Sequence, residues 1–185
     1  MLRHRTGDEG IQQLKLRTLE YELFVAQRAR MTSLLMGLLI AIYAVQSMMG
    51  GTGFTMESME VLARLGANVR PLVQEGQWWR LFTANFLHGF WLHILMNGLA
   101  LMSLGSVVER LVGSRRFLLI YLVSAVAGCV ASSALSEGSL SVGASTAIFG
   151  LLGSFAVLSF AHRRHLPPGV EQSRTLWMVI LAIIF

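Results

Sequence analysis

Charged side chains are scarce in this sequence: they make up 14% of the 185 residues, against 54% hydrophobic ones. An ordinary soluble domain carries about 25% charged residues. The deficit sits in long uncharged runs, which excludes that class and points to a polytopic membrane protein. Cysteine is nearly missing as well. The single Cys129 lies inside an apolar run, so neither a disulfide framework nor a thiolate metal cluster can be built. No secretory processing site is evident, and the first thirty residues are too long and too acidic for the charged start of a signal peptide. The net charge of +5 is not a nucleic-acid signature, because the basic residues flank apolar segments, where membrane topology and anionic headgroups put them.

What is there is a series of spans, and the expected fold class is all-α, a polytopic transmembrane helix bundle. Residues 1–30 read as a cytoplasmic amphipathic segment, with Leu16, Leu19, Leu23 and Phe24 at helical spacing. Residues 31–185 read as the membrane domain. A bilayer needs roughly 20 apolar residues to be crossed, and the candidate spans are about 31–49, 91–108, 117–135 and 144–161. The link at 136–142 is short and rich in serine and glycine. Residues 50–90 form a long first loop ending in Trp78, Trp79, Phe82, Phe86, Phe90 and Trp91 around Arg80, a composition suited to the headgroup level. With the N-terminus inside, 12 basic residues fall on the cytoplasmic side and 3 outside, which orients the chain and turns residue 145 outward. A fifth apolar segment, 175–185, has eleven residues, about half a span. A helix stopped in mid-bilayer leaves carbonyls without partners at several kcal/mol, so the sequence reads as truncated.

Few residues in these runs can carry chemistry. His93 and Asn97 are four apart and share one face of the second span, with His88 close by. Imidazole and carboxamide groups in a span are costly unless they face a polar interior. They fit either an inter-helix hydrogen bond or a functional cavity. In the fourth span Gly143, Ala147, Gly150 and Ser154 make a small-residue stripe that lets helices approach closely. That stripe does not require Ser145, which opens the helix. There the free N–H groups and the positive dipole end favour developing negative charge, so a serine could attack a carbonyl while its own N–H helps bind the oxyanion. Phe149 lies one turn below on the same face as an apolar floor.

Three signatures occur in order: Trp79-Arg80 in the first loop, His93-x-x-x-Asn97 in the second span and Gly143-x-Ser145 opening the fourth, with Glu109-Arg110 and Gly113 after the second span. Together they resemble the rhomboid intramembrane serine proteases, from roughly Gln77 to the end. The resemblance implies a six-helix core with a water-filled site open to the outer face of the cell membrane. It also implies cleavage of single-span membrane proteins within the bilayer, and no metal or organic cofactor. By position Ser145 matches the nucleophile. His93 and Asn97 match the side chains lining the oxyanion hole, with Gly143 in the same motif, and His88 matches a histidine near that cavity. Trp79, Arg80 and Glu109 match structural motif positions. Phe149 matches an aromatic that packs on the catalytic histidine.

Two departures stand out. Thr146 replaces the usual glycine after the nucleophile, and a β-branched residue there should stiffen the turn and narrow the cavity. The base, which the family carries on a sixth span, is not among these residues. His162 stands seventeen residues beyond Ser145 and so about 26 Å away along a helix, while a base must lie within about 3 Å of its proton or act through one water. His162, His165 and the cytoplasmic His4 are thereby excluded, and His93 or His88 could serve only by leaving the oxyanion side to which both are assigned. Two other readings stay open: a non-catalytic rhomboid-like protein that binds transmembrane segments, and a transporter-like bundle whose His93, Asn97 and Ser145 only line a polar cavity.

Overall fold

The computed structural model describes residues 2–135 and 140–161. The serine-glycine link lies outside them at 136–139, as do His162, His165 and the fifth apolar segment at 175–185. The chain divides into two compact units. One comprises Ala29–Phe155, and the other contains the N-terminal helix and the last residues of the fourth-span helix.

In the second unit, α1 spans Leu2–Ala26. Its apolar side chains do not gather on one face. Leu16, Leu19 and Leu23 fall on one side of the helical wheel and Ile11 and Leu14 on the other, and all five are exposed.

In the Ala29–Phe155 unit the first apolar run becomes α2, Arg30–Met48. The first loop then folds into short helices: α3, Met56–Leu65, α4, Arg70–Gln74, and α5, Arg80–Thr83, followed by a 3-10 turn at Ala84–Phe86. Thr55 caps α3 by accepting the Ser58 N–H, and Gly66 ends it in the left-handed region at φ 107°, the usual chemistry of helix ends. The second span is longer than its apolar run. It begins as α6, Trp91–Ala100, widens through a π turn at Leu101–Gly105 and continues as α7, Ser106–Val112, stopping at Gly113 with φ 83°. It thus runs past the expected end near residue 108 and carries Glu109 inside the helix. Next come α8, Ser114–Leu135, and α9, Ser145–Ala161. One two-residue antiparallel pairing, β1 (Asn68–Val69) with β2 (Leu140–Ser141), ties the first loop to the segment that precedes α9.

Among the described residues three helices are long and apolar enough to cross a membrane: Arg30–Met48, Trp91–Val112 and Ser114–Leu135. The 17 residues of α9 reach about 26 Å, the lower end of what a span needs. Leu34, Leu38, Leu119, Val123 and Val130 stand exposed on α2 and α8, as lipid-facing side chains must. The fully buried core contains Leu39, Leu101, Leu104, Val108, Phe117, Tyr121, Ile148 and Leu151. Leu62, Ala67 and Leu87 form a separate cluster with Ile42, Leu65, Val69, Leu140 and Val142. This cluster packs the first loop against the segment that leads to Ser145.

Candidate active site

Arg80 holds the first loop together. It is 6% exposed and donates to Gln77 Oε1 at 2.7 Å, to the Ala63 carbonyl at 2.5 Å and to the Ala67 carbonyl at 3.1 Å. Its guanidinium lies 4.6 Å from the centre of the Trp79 ring, a cation–π contact. These bonds fasten the end of α3 to the start of α5.

The chain then reaches Ala84 and Asn85, turns, and presents His88. The backbone of His88 is gripped by Gln46 of α2: the Gln46 amide donates to the His88 and Gly51 carbonyls, and Gln46 Oε1 accepts the His88 N–H at 3.1 Å. The His88 ring is fully buried and stands edge-on to His93, centroids 5.1 Å apart. Neither ring nitrogen has a hydrogen-bond partner of normal geometry. Burial, helped by the neighbouring His93, pushes its pKa down to about 3, against a small opposing pull from the Phe86 carbonyl. It is therefore a neutral imidazole at physiological pH.

One turn into α6, His93 is partly exposed and packs against the Phe90 ring at 5.6 Å. Asn97 is fully buried. Its amide nitrogen donates to the His93 carbonyl at 2.9 Å, and its Oδ1 has no partner. The expected pairing of His93 and Asn97 on one face is thus also a hydrogen-bonded arrangement.

The histidine meets the serine segment at Gly143. This glycine lies before α9 rather than in it, in the left-handed region at φ 119°, and its N–H donates to the Ala84 carbonyl at 2.9 Å. A Cβ there would lie 2.7 Å from both Cε1 and Nε2 of His93. Only glycine suits both the backbone and the imidazole. Gly143 therefore does not belong to the small-residue stripe of the helix, as its spacing suggested. Ser145 follows as the first residue of α9, partly exposed. Its hydroxyl has no hydrogen-bond partner among the described residues. His88, His93, Asn97 and Gly143 thus come together, with Ser145 two residues away. Beside His93 lies a cavity of about 380 Å³ whose walls include Phe54, Gly89, Phe90 and Val142.

Thr146 does not narrow this space. It is turned to α8, where its Cβ stands 2.4 Å from the place a Cβ on Gly128 would take. Its hydroxyl donates to Asn85 Oδ1 at 2.8 Å. Phe149, one turn further on, is 45% exposed.

Glu109 sits at the other end of the second span, sixteen residues beyond His93 and so about 24 Å along the helix. It is 3% exposed and accepts from the Met31 and Thr32 N–H groups at 2.9 and 2.8 Å, from the Thr32 hydroxyl at 2.7 Å and from the Ser114 hydroxyl at 2.6 Å. A carboxylate on the first turn of α2 is stabilised by its free N–H groups and dipole. Glu109 thereby joins α2, α7 and α8 and takes no part in the cluster around His93.

Gln46 and Asn85 escaped the sequence reading. Gln46 had a signal, a carboxamide in an apolar span, where an unpartnered one is costly. Asn85 had none, since a loop asparagine is unremarked until its partner is known.

The Rhomboid domain family model matches residues 75–185. The chain is 37% identical over 164 residues to Rhomboid protease GluP of Bacillus subtilis (strain 168), an alignment covering 89% of this chain and 31% of that protein. It is 39% identical over 106 residues to RHOMBOID-like protein 4 of Arabidopsis thaliana, covering 57% and 26%. With Rhomboid-like protease 1 of Toxoplasma gondii it shares 40% identity over 94 residues, covering 50% and 32%. The chain spans about a third or less of the length of these curated relatives.

Proposed function

The chain belongs to the rhomboid family, and from that premise we propose that it carries the nucleophile and oxyanion side of an intramembrane serine endopeptidase. The observation that carries the reading is the seating of the His93 ring on left-handed Gly143, two residues before a serine that opens a helix.

In this reading Ser145 Oγ attacks the scissile carbonyl of a single-span membrane protein. The Ser145 N–H, unpaired in the first turn of α9, receives the oxyanion. The His93 imidazole and the second amide hydrogen of Asn97 supply further donors. His88, neutral and buried, backs the His93 ring edge-on. Serine is a weak nucleophile until a base removes its proton. That base is assigned to a histidine of a further span, outside the described residues. Hydroxyl, imidazole and amide groups suffice for acyl transfer, and no metal or cofactor is assigned. The protein is an integral membrane protein. The 12-to-3 distribution of basic residues supports a cytoplasmic N-terminus, with the site opening to the outer face of the cell membrane.

The test is Ser145→Ala in the full-length protein, reconstituted with a membrane-anchored single-span reporter. Cleavage should vanish. Cleavage at the wild-type rate in that variant would sink the reading.

A further inference from the structure

The segment after Trp79-Arg80 grips the serine turn at two points. Ala84 accepts the N–H of Gly143 at 2.9 Å, and Asn85 Oδ1 accepts the hydroxyl of Thr146 at 2.8 Å. Ala144 and Ser145 are the two residues held between those bonds. Asn85 is itself immobilised. It is fully buried, and its amide donates to the Leu81 carbonyl at 2.9 Å, the Phe82 carbonyl at 3.2 Å and Cys129 Sγ at 3.3 Å. Gly128 of α8 makes the room that Thr146 needs. The residue that replaces the family's glycine is thus met by an acceptor on one side and a missing side chain on the other.

We infer that Asn85 and Thr146 form a positioning pair for Ser145, which fastens the first turn of α9 to the segment leading to His88 and His93. The inference rests on the protease reading above. The oxyanion donors belong to α6 and the nucleophile to α9, so catalysis requires that these two elements keep a fixed separation. Gly143 by itself leaves the turn one backbone tether. The threonine hydroxyl adds a second on the far side of Ser145, to an asparagine that is itself fully buried. Misplacing reacting groups by about 1 Å costs about a hundredfold in rate, whereas substrate docking on outer surfaces need not change.

The experiment measures kcat and KM of the full-length protein in liposomes with a single-span reporter, together with the melting temperature of each variant. Thr146→Val keeps the shape and removes the donor. It should lower kcat about ten- to a hundredfold while KM stays within about twofold. Thr146→Ser, which restores the hydroxyl, should recover most of the loss. Asn85→Ala should resemble Thr146→Val, and the double variant should be no slower than the worse single one, as for two halves of one interaction. Wild-type kcat per folded enzyme in Thr146→Val would overturn the pair while leaving the protease reading intact, provided Ser145→Ala is dead. The same holds if only folded yield and melting temperature fall. A wild-type protein that does not cut, or a Ser145→Ala variant that does, overturns both.

Discussion

Single residues decide whether the cluster around His93 can form. At Gly143 the left-handed φ of 119° and the imidazole 2.7 Å from any added Cβ both oppose a side chain. Gly143→Ala should therefore cost about 1–3 kcal/mol in backbone strain and push His93 off the turn. Labelling of Ser145 by a fluorophosphonate in the full-length protein should fall at least about tenfold, and labelling at the wild-type rate would remove Gly143 from the site. His88 predicts a pH effect. Its pKa lies near 3 in the folded protein and near 6.5 when unfolded. Between those values the unfolded chain binds more protons, so stability is full above about pH 6.5 and declines as pH falls toward 3. The loss across that window is at most about 5 kcal/mol. Melting curves in detergent should show it, and His88→Gln should flatten the acid limb. At this scale the motif residues were legible, since histidine, asparagine and serine in apolar runs need a reason. The glycine was legible as a small residue, but its purpose was not, because the ring above it comes from a helix some fifty residues earlier in the chain.

Between elements, α8 and α9 meet through exchanged sizes. Thr146 fills the space over Gly128, and Ser124 fills the space over Gly150, where an added Cβ would lie 1.9 Å from the Ser124 hydroxyl. Each pair is four residues apart on its helix, so the two helices interlock like teeth. Gly128→Ala alone should damage folding and cleavage, since the new methyl meets the threonine Cβ and overpacking of this kind costs about 1–3 kcal/mol. Adding Thr146→Gly should restore stability by giving the space back, and a double variant no more stable than Gly128→Ala would refute the exchange. The sequence displayed half of this arrangement: the glycine of the stripe at 150 was visible as a packing residue. Thr146 was read as crowding the cavity because sequence places it beside Ser145 and cannot show that its side chain faces α8. Glu109 behaves similarly. Its motif was apparent, while the four donors it gathers from Met31, Thr32 and Ser114 lie on other elements. Glu109→Ala leaves buried N–H groups unpaired and should lower stability by at least about 2 kcal/mol, read as a drop in melting temperature.

At the scale of the molecule the question is which way the bundle sits in the membrane. Helix existence was legible because uncharged runs of span length have few alternatives. The helices inside the first loop were hidden by their brevity, although Thr55 and Gly66 are ordinary cap residues. Orientation depends on charge. The three basic residues assigned outside, Arg64, Arg70 and Arg80, all belong to the first loop, and the other 12 lie in the N-terminal segment or beside the opposite ends of the spans. Arg80 is buried in its own hydrogen bonds, and Arg64 pairs with Glu60 at 2.6 Å. Cysteine labelling in intact cells tests this directly, because the native Cys129 is 3% exposed and gives little background. Gln74→Cys, on the exposed surface of α4, should react with a membrane-impermeant maleimide added outside. Lys15→Cys in α1 should react only once the membrane is opened. The reverse pattern would put Ser145 on the cytoplasmic face, and the water and substrate ends reaching it would then have to come from that side.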